Sequence, residues 1–199
     1  VVTLQGLDTA RIEALSPSVR VIGRAGVGLD TIDLAAAEAR RIAVVNQPTY
    51  ATAEVATHAA ALLLAVQRRI VEGVELVRGG WGLVTLLGSV PPLQERTLGV
   101  VGFGAIGRAF ADRMRPFVGR VMVFDPAVTP SEIEAWGATT AGSLDELLSG
   151  SDAVSLHVPL IPQTRGLIGT AQLARMRPGS ILVNVSRGGL VDEDALAAS

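Results

Sequence analysis

The stretch Leu98-Gly-Val-Val-Gly-Phe-Gly-Ala-Ile-Gly-Arg108 carries an apolar strand pattern into three glycines spaced GxGxxG, followed by helix-like periodicity. That arrangement suits the binding of an anion by backbone alone. Gly102 permits a tight turn, Gly104 lets the main chain approach a pyrophosphate, and Gly107 lets the helix pack close to the strand. The free N–H groups and the positive dipole end of the helix then face the anion. A plain glycine-rich turn is the alternative, because the motif is common. A second strand pattern, Arg120-Val-Met-Val-Phe124, ends in Asp125. Asp125 lies at the distance expected of a carboxylate that binds a ribose diol. A carboxylate accepts two hydroxyl hydrogen bonds and repels a 2′-phosphate, so the pair points to NAD rather than NADP. Asp125 as a turn residue before Pro126 is the competing reading.

Positioning such groups takes a parallel sheet. Apolar runs at 19–23, 42–46, 98–102, 121–124, 153–157 and 181–185, with a short one near 138–141, alternate with helix-like patterns at 10–15, 31–40, 52–77, 106–117, 130–136, 143–149, 170–176 and from 193 onward. Strands alternating with helices imply right-handed crossovers in an α/β fold. Ser143 and Glu146 form a capping-box pattern, and Thr129-Pro130 places proline at a first helical position. Arg113, Arg115 and Gly119 read as the cations and glycine of a helix C-terminus. The pattern breaks down between Arg78 and Thr97, where Gly79-Gly-Trp-Gly82 and Pro91-Pro92 are loop chemistry. The domain boundary is expected near Pro48, giving domains 1–48 and 49–199.

Several functions are disfavoured by composition. A net charge of −2 without a basic run does not indicate a nucleic-acid surface. The absence of cysteine excludes disulfides and thiolate chemistry and fits a reducing, cytoplasmic setting. His58 and His157 match no metal-ligand spacing, so no metal is expected. The longest apolar run, Ala59 to Val66, is too short to span a bilayer and reads as a buried helix. His58, on that apolar helix, reads as a packed, hydrogen-bonded core residue. No membrane attachment is expected. Both ends look internal: Val1-Val2-Thr3-Leu4 reads as strand interior, and the helix begun at Asp192 stops after about two turns. The chain is therefore expected to be a piece of a longer protein.

Six ordered blocks resemble the D-isomer-specific 2-hydroxyacid dehydrogenases, a group that includes phosphoglycerate, glyoxylate and hydroxypyruvate dehydrogenases and the C-terminal-binding-protein corepressors. They are Arg24-Ala-Gly-Val-Gly-Leu-Asp30, Asn46-Gln-Pro-Thr-Tyr50, Glu54-Val-Ala-Thr-His58, the glycine loop, Ser151-Asp-Ala-Val-Ser-Leu-His-Val-Pro-Leu160 and Asn184-Val-Ser-Arg-Gly-Gly-Leu-Val-Asp192. The wording of 46–58 is nearest the corepressor-like bacterial branch. The resemblance implies a Rossmann-type doubly wound parallel sheet plus part of a flavodoxin-like substrate domain. It also implies NAD-dependent hydride transfer between nicotinamide and a small D-2-hydroxy or 2-oxo acid.

The same resemblance makes Arg187 the catalytic arginine, whose planar fork suits a carboxylate beside a carbonyl oxygen. Gly26, Val27 and Gly28 match the loop that offers backbone N–H groups to the substrate carboxylate. Gly102, Gly104, Ala105, Ile106, Gly107, Asp125, His157, Val158, Pro159, Thr164, Val185 and Ser186 are the implied cofactor residues, with the His157 segment acting mostly through backbone. The acid–base histidine and its glutamate are expected after residue 199, so the 199-residue chain alone should be inactive. Three departures stand out: Thr57 where relatives carry an acid, Ala105 where many carry arginine, and Thr3 where phosphoglycerate-specific relatives carry arginine. The resemblance further implies a homodimer through the cofactor domain, using the long helix and the Trp81 loop. A cofactor-gated, corepressor-like interaction protein is the alternative function; a formate dehydrogenase is disfavoured, because no matching asparagine other than Asn46 lies in the first domain.

Overall fold

Val, Ile, Leu and Gly runs become parallel strands, and those at 97–101, 120–124 and 153–156 are buried on both faces. The computed structural model describes residues 1–2, 5–80 and 88–199; Thr3 and Trp81 therefore lie outside the described residues. The chain divides into two compact units, Val1–Thr52 and Ala53–Ser199.

In the first unit, α1 (Thr9–Glu13), β1 (Val21–Gly23), α2 (Leu34–Ala39) and β2 (Ala43–Val45) follow in order. The strands β1 and β2 pair in parallel, Ile22 opposite Val44. Ile12, Ile22, Ile32, Ala37 and Ile42 form the core. Asp8 and Asp33 cap the two helices by accepting backbone N–H bonds from Arg11 and Ala36.

In the second unit, α3 (Thr52–Gln67, from the last residue of the first) and α4 (Ile70–Arg78) precede β3 (Thr97–Val101), α5 (Ala105–Met114), β4 (Arg120–Phe124), α6 (Pro130–Trp136), β5 (Thr139–Thr140), α7 (Leu144–Gly150), β6 (Ala153–Leu156), α8 (Thr170–Leu173), β7 (Ile181–Asn184) and α9 (Glu193–Ala197). The sheet order is β5-β4-β3-β6-β7, with every pair parallel. This is the doubly wound Rossmann-like order, and the strand sequence reverses direction between β3 and β6. Ligands in such sheets bind at the carboxyl ends of the strands flanking that reversal. One face of the sheet packs Leu98, Val100, Phe110, Met114 and Val123; the other packs Val101, Leu147, Leu148, Val154 and Leu156. Each such large side chain contributes roughly 1.5–3 kcal/mol when fully buried.

At the opposite, amino-terminal ends of β3 and β6 sits a charge network. Asp152 accepts from the Thr97 N–H at 2.8 Å and meets Arg96 at 3.2 Å and Arg177 at 3.1 Å. Burial alone pushes the Asp152 carboxyl up. The Thr97 N–H and the hydrogen bond from Arg177, with the charges of Arg177 and Arg96, outweigh it and hold the carboxyl below its usual range. This network ties strand ends together on the side away from the ligand edge.

Three local expectations are corrected. The pattern over 52–77 reads as one helix, but it breaks after Gln67, with Arg69 in the left-handed region (φ 52°, ψ 44°). A non-glycine residue there costs about 1 kcal/mol, and no Gly or Pro at that point announces the break. The Ser143 hydroxyl does cap α7, but Glu146 reaches back to the Gly142 N–H instead of that of Ser143. The reciprocal capping box forms at Thr129 and Glu132, ahead of Pro130. Gly119 is not a helix cap: α5 ends at Met114, and a Cβ at Gly119 would lie 2.2 Å from the Gln94 carbonyl oxygen.

Candidate functional site at the carboxyl edge of the sheet

The turn after β3 is held by close backbone contacts. Gly102 has φ +91°, and a Cβ there would stand 2.8 Å from the carbonyl carbon and oxygen of His157. A Cβ at Gly107 would stand 2.1 Å from the Gly102 carbonyl oxygen. Gly104 differs: nothing lies within 4 Å of a Cβ placed on it. It is also the N-cap of α5, and no side chain caps that helix start. The first-turn N–H groups therefore open onto a space that only a glycine keeps clear. This geometry fits the pyrophosphate of a dinucleotide.

Asp125, just past β4, is built into the same turn. Its carboxylate accepts from the Phe103 N–H at 2.6 Å and from the Ala127 N–H at 2.8 Å. One bond goes to each oxygen, which leaves each oxygen a lone pair for a ribose hydroxyl. Phe103 is fully buried, in edge contact with Trp136 at 5.4 Å, and the Arg108 guanidinium lies 4.5 Å above its ring. The carboxylate and the glycine turn are thus one rigid unit.

His157 follows β6, and its N–H donates to the Val101 carbonyl at 2.7 Å. Its backbone lies against the glycine turn, whereas its ring turns inward. The Nε2 atom is 2.9 Å from the Ser155 hydroxyl, and the ring lies tilted against Phe110, with centroids 4.8 Å apart. Burial pushes the imidazole down to about 4, so it is neutral near pH 7. The 158–164 loop closes on itself: the Thr164 hydroxyl donates to the Pro159 carbonyl at 2.6 Å and accepts from the Ile161 N–H at 2.9 Å.

Past β7, Asn184 shapes the chain around Arg187. Its side chain accepts from the Ser186 N–H and donates to the Arg187 carbonyl at 2.8 Å. The Ser186 hydroxyl donates to the Leu156 carbonyl, tying this turn to the end of β6. Arg187, half-buried, starts the short helical turn 188–190. A cavity of about 400 Å³ opens there, lined by residues 184–188 and by His58 and Leu62 of α3.

His58 corrects the sequence reading. It is exposed, not packed in the core, because the buried stripe of α3 runs through Ala56, Ala59, Ala60 and Leu63. His58 and Leu62, four apart, share another face. Its neighbour Thr57 accepts from the Arg113 side chain at 3.0 Å.

In the first unit, the Gly26–Gly28 loop is held from both sides. Asn46 donates to the Val27 carbonyl at 2.7 Å and the Arg24 side chain to the Gly28 carbonyl at 3.2 Å. Among the described residues, no cluster of three His, Cys, Asp or Glu could hold a metal ion, and no helix is long and apolar enough to cross a membrane.

The family model for the NAD binding domain of D-isomer specific 2-hydroxyacid dehydrogenases matches residues 60–199. The chain belongs to this family. It is 43% identical over 189 residues to D-3-phosphoglycerate dehydrogenase of Mycobacterium leprae, a match covering 94% of this chain and 35% of that protein. It is 41% identical over 189 residues to glyoxylate reductase of Thermococcus litoralis, covering 91% and 56%. Among solved structures it is similar to D-lactate dehydrogenase from Aquifex aeolicus complexed with NAD and lactic acid, with a TM-score of 0.90, 32% identity, and coverage of 96% and 57%. The chain thus spans about a third of its phosphoglycerate dehydrogenase relatives. The match assigns the glycine turn and the Arg187 segment to an NAD-binding domain of this family.

Proposed function

We propose that the chain is the cofactor-binding part, with some of the substrate-binding part, of an NAD-dependent dehydrogenase acting on a small D-2-hydroxy acid and its 2-oxo acid. One observation carries this reading: the glycine turn braced by Asp125 and the cavity at Arg187 lie on the same carboxyl edge of one parallel sheet. Bound NAD would supply the hydride acceptor, and NADH the donor.

The backbone N–H groups at Ala105, Ile106 and Gly107 would donate to the pyrophosphate, and Asp125 would accept from the ribose diol. Val158, Pro159, Thr164, Val185 and Ser186, with the His157 backbone, wall the reactive end against water. Arg187 holds the substrate carboxylate and polarises the C2 oxygen with its forked donors. In the first unit, Gly26, Val27 and Gly28 offer backbone donors suited to a carboxylate. His157 is given no part in proton transfer, since its ring turns into the interior against Phe110 and the Ser155 hydroxyl. A cytoplasmic setting accords with the lack of cysteine.

The cofactor reading is tested by Asp125→Ser. The preference for NADH over NADPH, taken as the ratio of dissociation constants, is expected to fall by about tenfold as the repulsion of a 2′-phosphate is removed. An unchanged ratio would mean that this carboxylate does not read the ribose.

The partner we propose is a second copy of the chain. Helix α4 buries none of its residues and presents Ile70, Val71, Val74 and Val77 at 42–68% exposure, an apolar face of the kind that marks interaction surfaces. Light scattering should give twice the chain mass, reverting to one chain mass for Val71→Asp. A monomeric wild-type protein would remove this proposal.

A further inference from the structure

We infer that His58 is a substrate-contacting residue that helps set specificity for a small 2-oxo acid; this rests on the dehydrogenase reading of the Arg187 cavity. Two helix-α3 side chains line that cavity, His58 and Leu62. The other polar side chains there are already committed. The Asn184 amide is spent on the Ser186 N–H and the Arg187 carbonyl, and the Ser186 hydroxyl on the Leu156 carbonyl. His58 is different: its imidazole makes no hydrogen bond with any described residue, although it sits on the wall facing the arginine segment.

The chemistry of the ligand explains why a second group is useful. A 2-oxo acid presents three oxygens on two adjacent carbons. A guanidinium fork satisfies two of them in its plane. An imidazole brings at least one further N–H donor, suited to the third oxygen or to a hydroxyl on C3. Leu62, one turn beyond His58, and Val185 form the apolar part of the wall, a surface for the carbon chain of the substrate. Polar donors within an apolar wall are how a binding site discriminates between ligands that differ by one polar group. The family's acid–base role is not assigned to His58; the inference concerns binding.

The test uses oxamate, an unreactive 2-oxo acid analogue, titrated into the whole protein saturated with NADH and followed by quenching of NADH fluorescence. His58→Ala is expected to weaken oxamate about tenfold while the dissociation constant of NADH changes by less than about twofold. His58→Gln, which keeps a donor at a similar reach, is expected to recover most of the loss. Oxamate binding that is the same in wild type and His58→Ala, with NADH bound in both, overturns this inference and leaves the dehydrogenase reading standing. NADH binding with no oxamate binding in wild type overturns the reading of the cavity itself. A weakened His58→Ala with no recovery in His58→Gln, or with NADH weakened equally, also overturns the inference, since it marks a packing role.

Discussion

Gly104→Val is expected to leave the fold intact and to reduce NADH affinity by at least about a hundredfold. The two halves of that result have separate causes. Gly104 has φ −73° and ψ −162°, backbone that any residue adopts, and a Cβ there meets nothing within 4 Å. The fold therefore loses only the quality of an N-cap, about 1 kcal/mol. The same added atoms fill the space in front of the first turn of α5, where a pyrophosphate needs direct access to backbone N–H groups. Gly107→Ala supplies the contrast. Its Cβ would lie 2.1 Å from the Gly102 carbonyl oxygen, a rigid neighbour that cannot yield as a flexible side chain would. Overpacking of that kind costs upward of about 1–3 kcal/mol, so this variant should lose stability as well as cofactor. Thermal melts and NADH titrations on both variants separate the two effects. Equal melting points, or full NADH binding by Gly104→Val, would contradict the assignment of the turn.

Arg187→Met is expected to reduce kcat/KM for 2-oxo acid reduction by the whole protein by about 10²–10³-fold, with NADH affinity changed by less than threefold. The guanidinium donates to the Ser186 carbonyl at 2.8 Å, and the backbone beneath it is held by Asn184, which fixes the Arg187 carbonyl, and by the Ser186 hydroxyl, which anchors to β6. The loss then falls on the interaction with the reacting acid and not on the course of the backbone. Arg187→Lys keeps the charge and loses the planar fork, so it should recover only a small part of the rate. Steady-state kinetics with glyoxylate and hydroxypyruvate provide the measurement. A Met variant that keeps a tenth or more of the wild-type rate would remove Arg187 from the chemistry.

Much of this arrangement is legible in the residues. The spacing of Gly102, Gly104 and Gly107 states three different steric requirements, and the structure meets each with a different neighbour: the His157 backbone, open space and the Gly102 carbonyl. The parallel sheet follows from alternation and the handedness of crossovers, whereas the order β5-β4-β3-β6-β7 does not, since other orders obey the same rule. The partnership between Asp125 and the Phe103 N–H is not legible, because it joins residues 22 apart in sequence and exists only once β3 and β4 lie side by side. His58 was hidden for another reason. Residues 59–66 are all Ala, Leu or Val, so hydrophobic periodicity cannot say which face of α3 is inward. The break at Arg69 likewise leaves no compositional mark, since the left-handed residue is an arginine and not a glycine. Local chemistry reads well where a residue type is the only one that fits, and poorly where a uniform run or a distant partner decides.

The central claim is that the glycine turn and Asp125 bind a nicotinamide adenine dinucleotide. Isothermal titration of the folded protein with NADH tests it most directly. A saturating isotherm with one site per chain, lost in Gly104→Val, is the result expected; a folded wild-type protein that gives no heat with either NADH or NAD⁺ and no change in NADH fluorescence would contradict it.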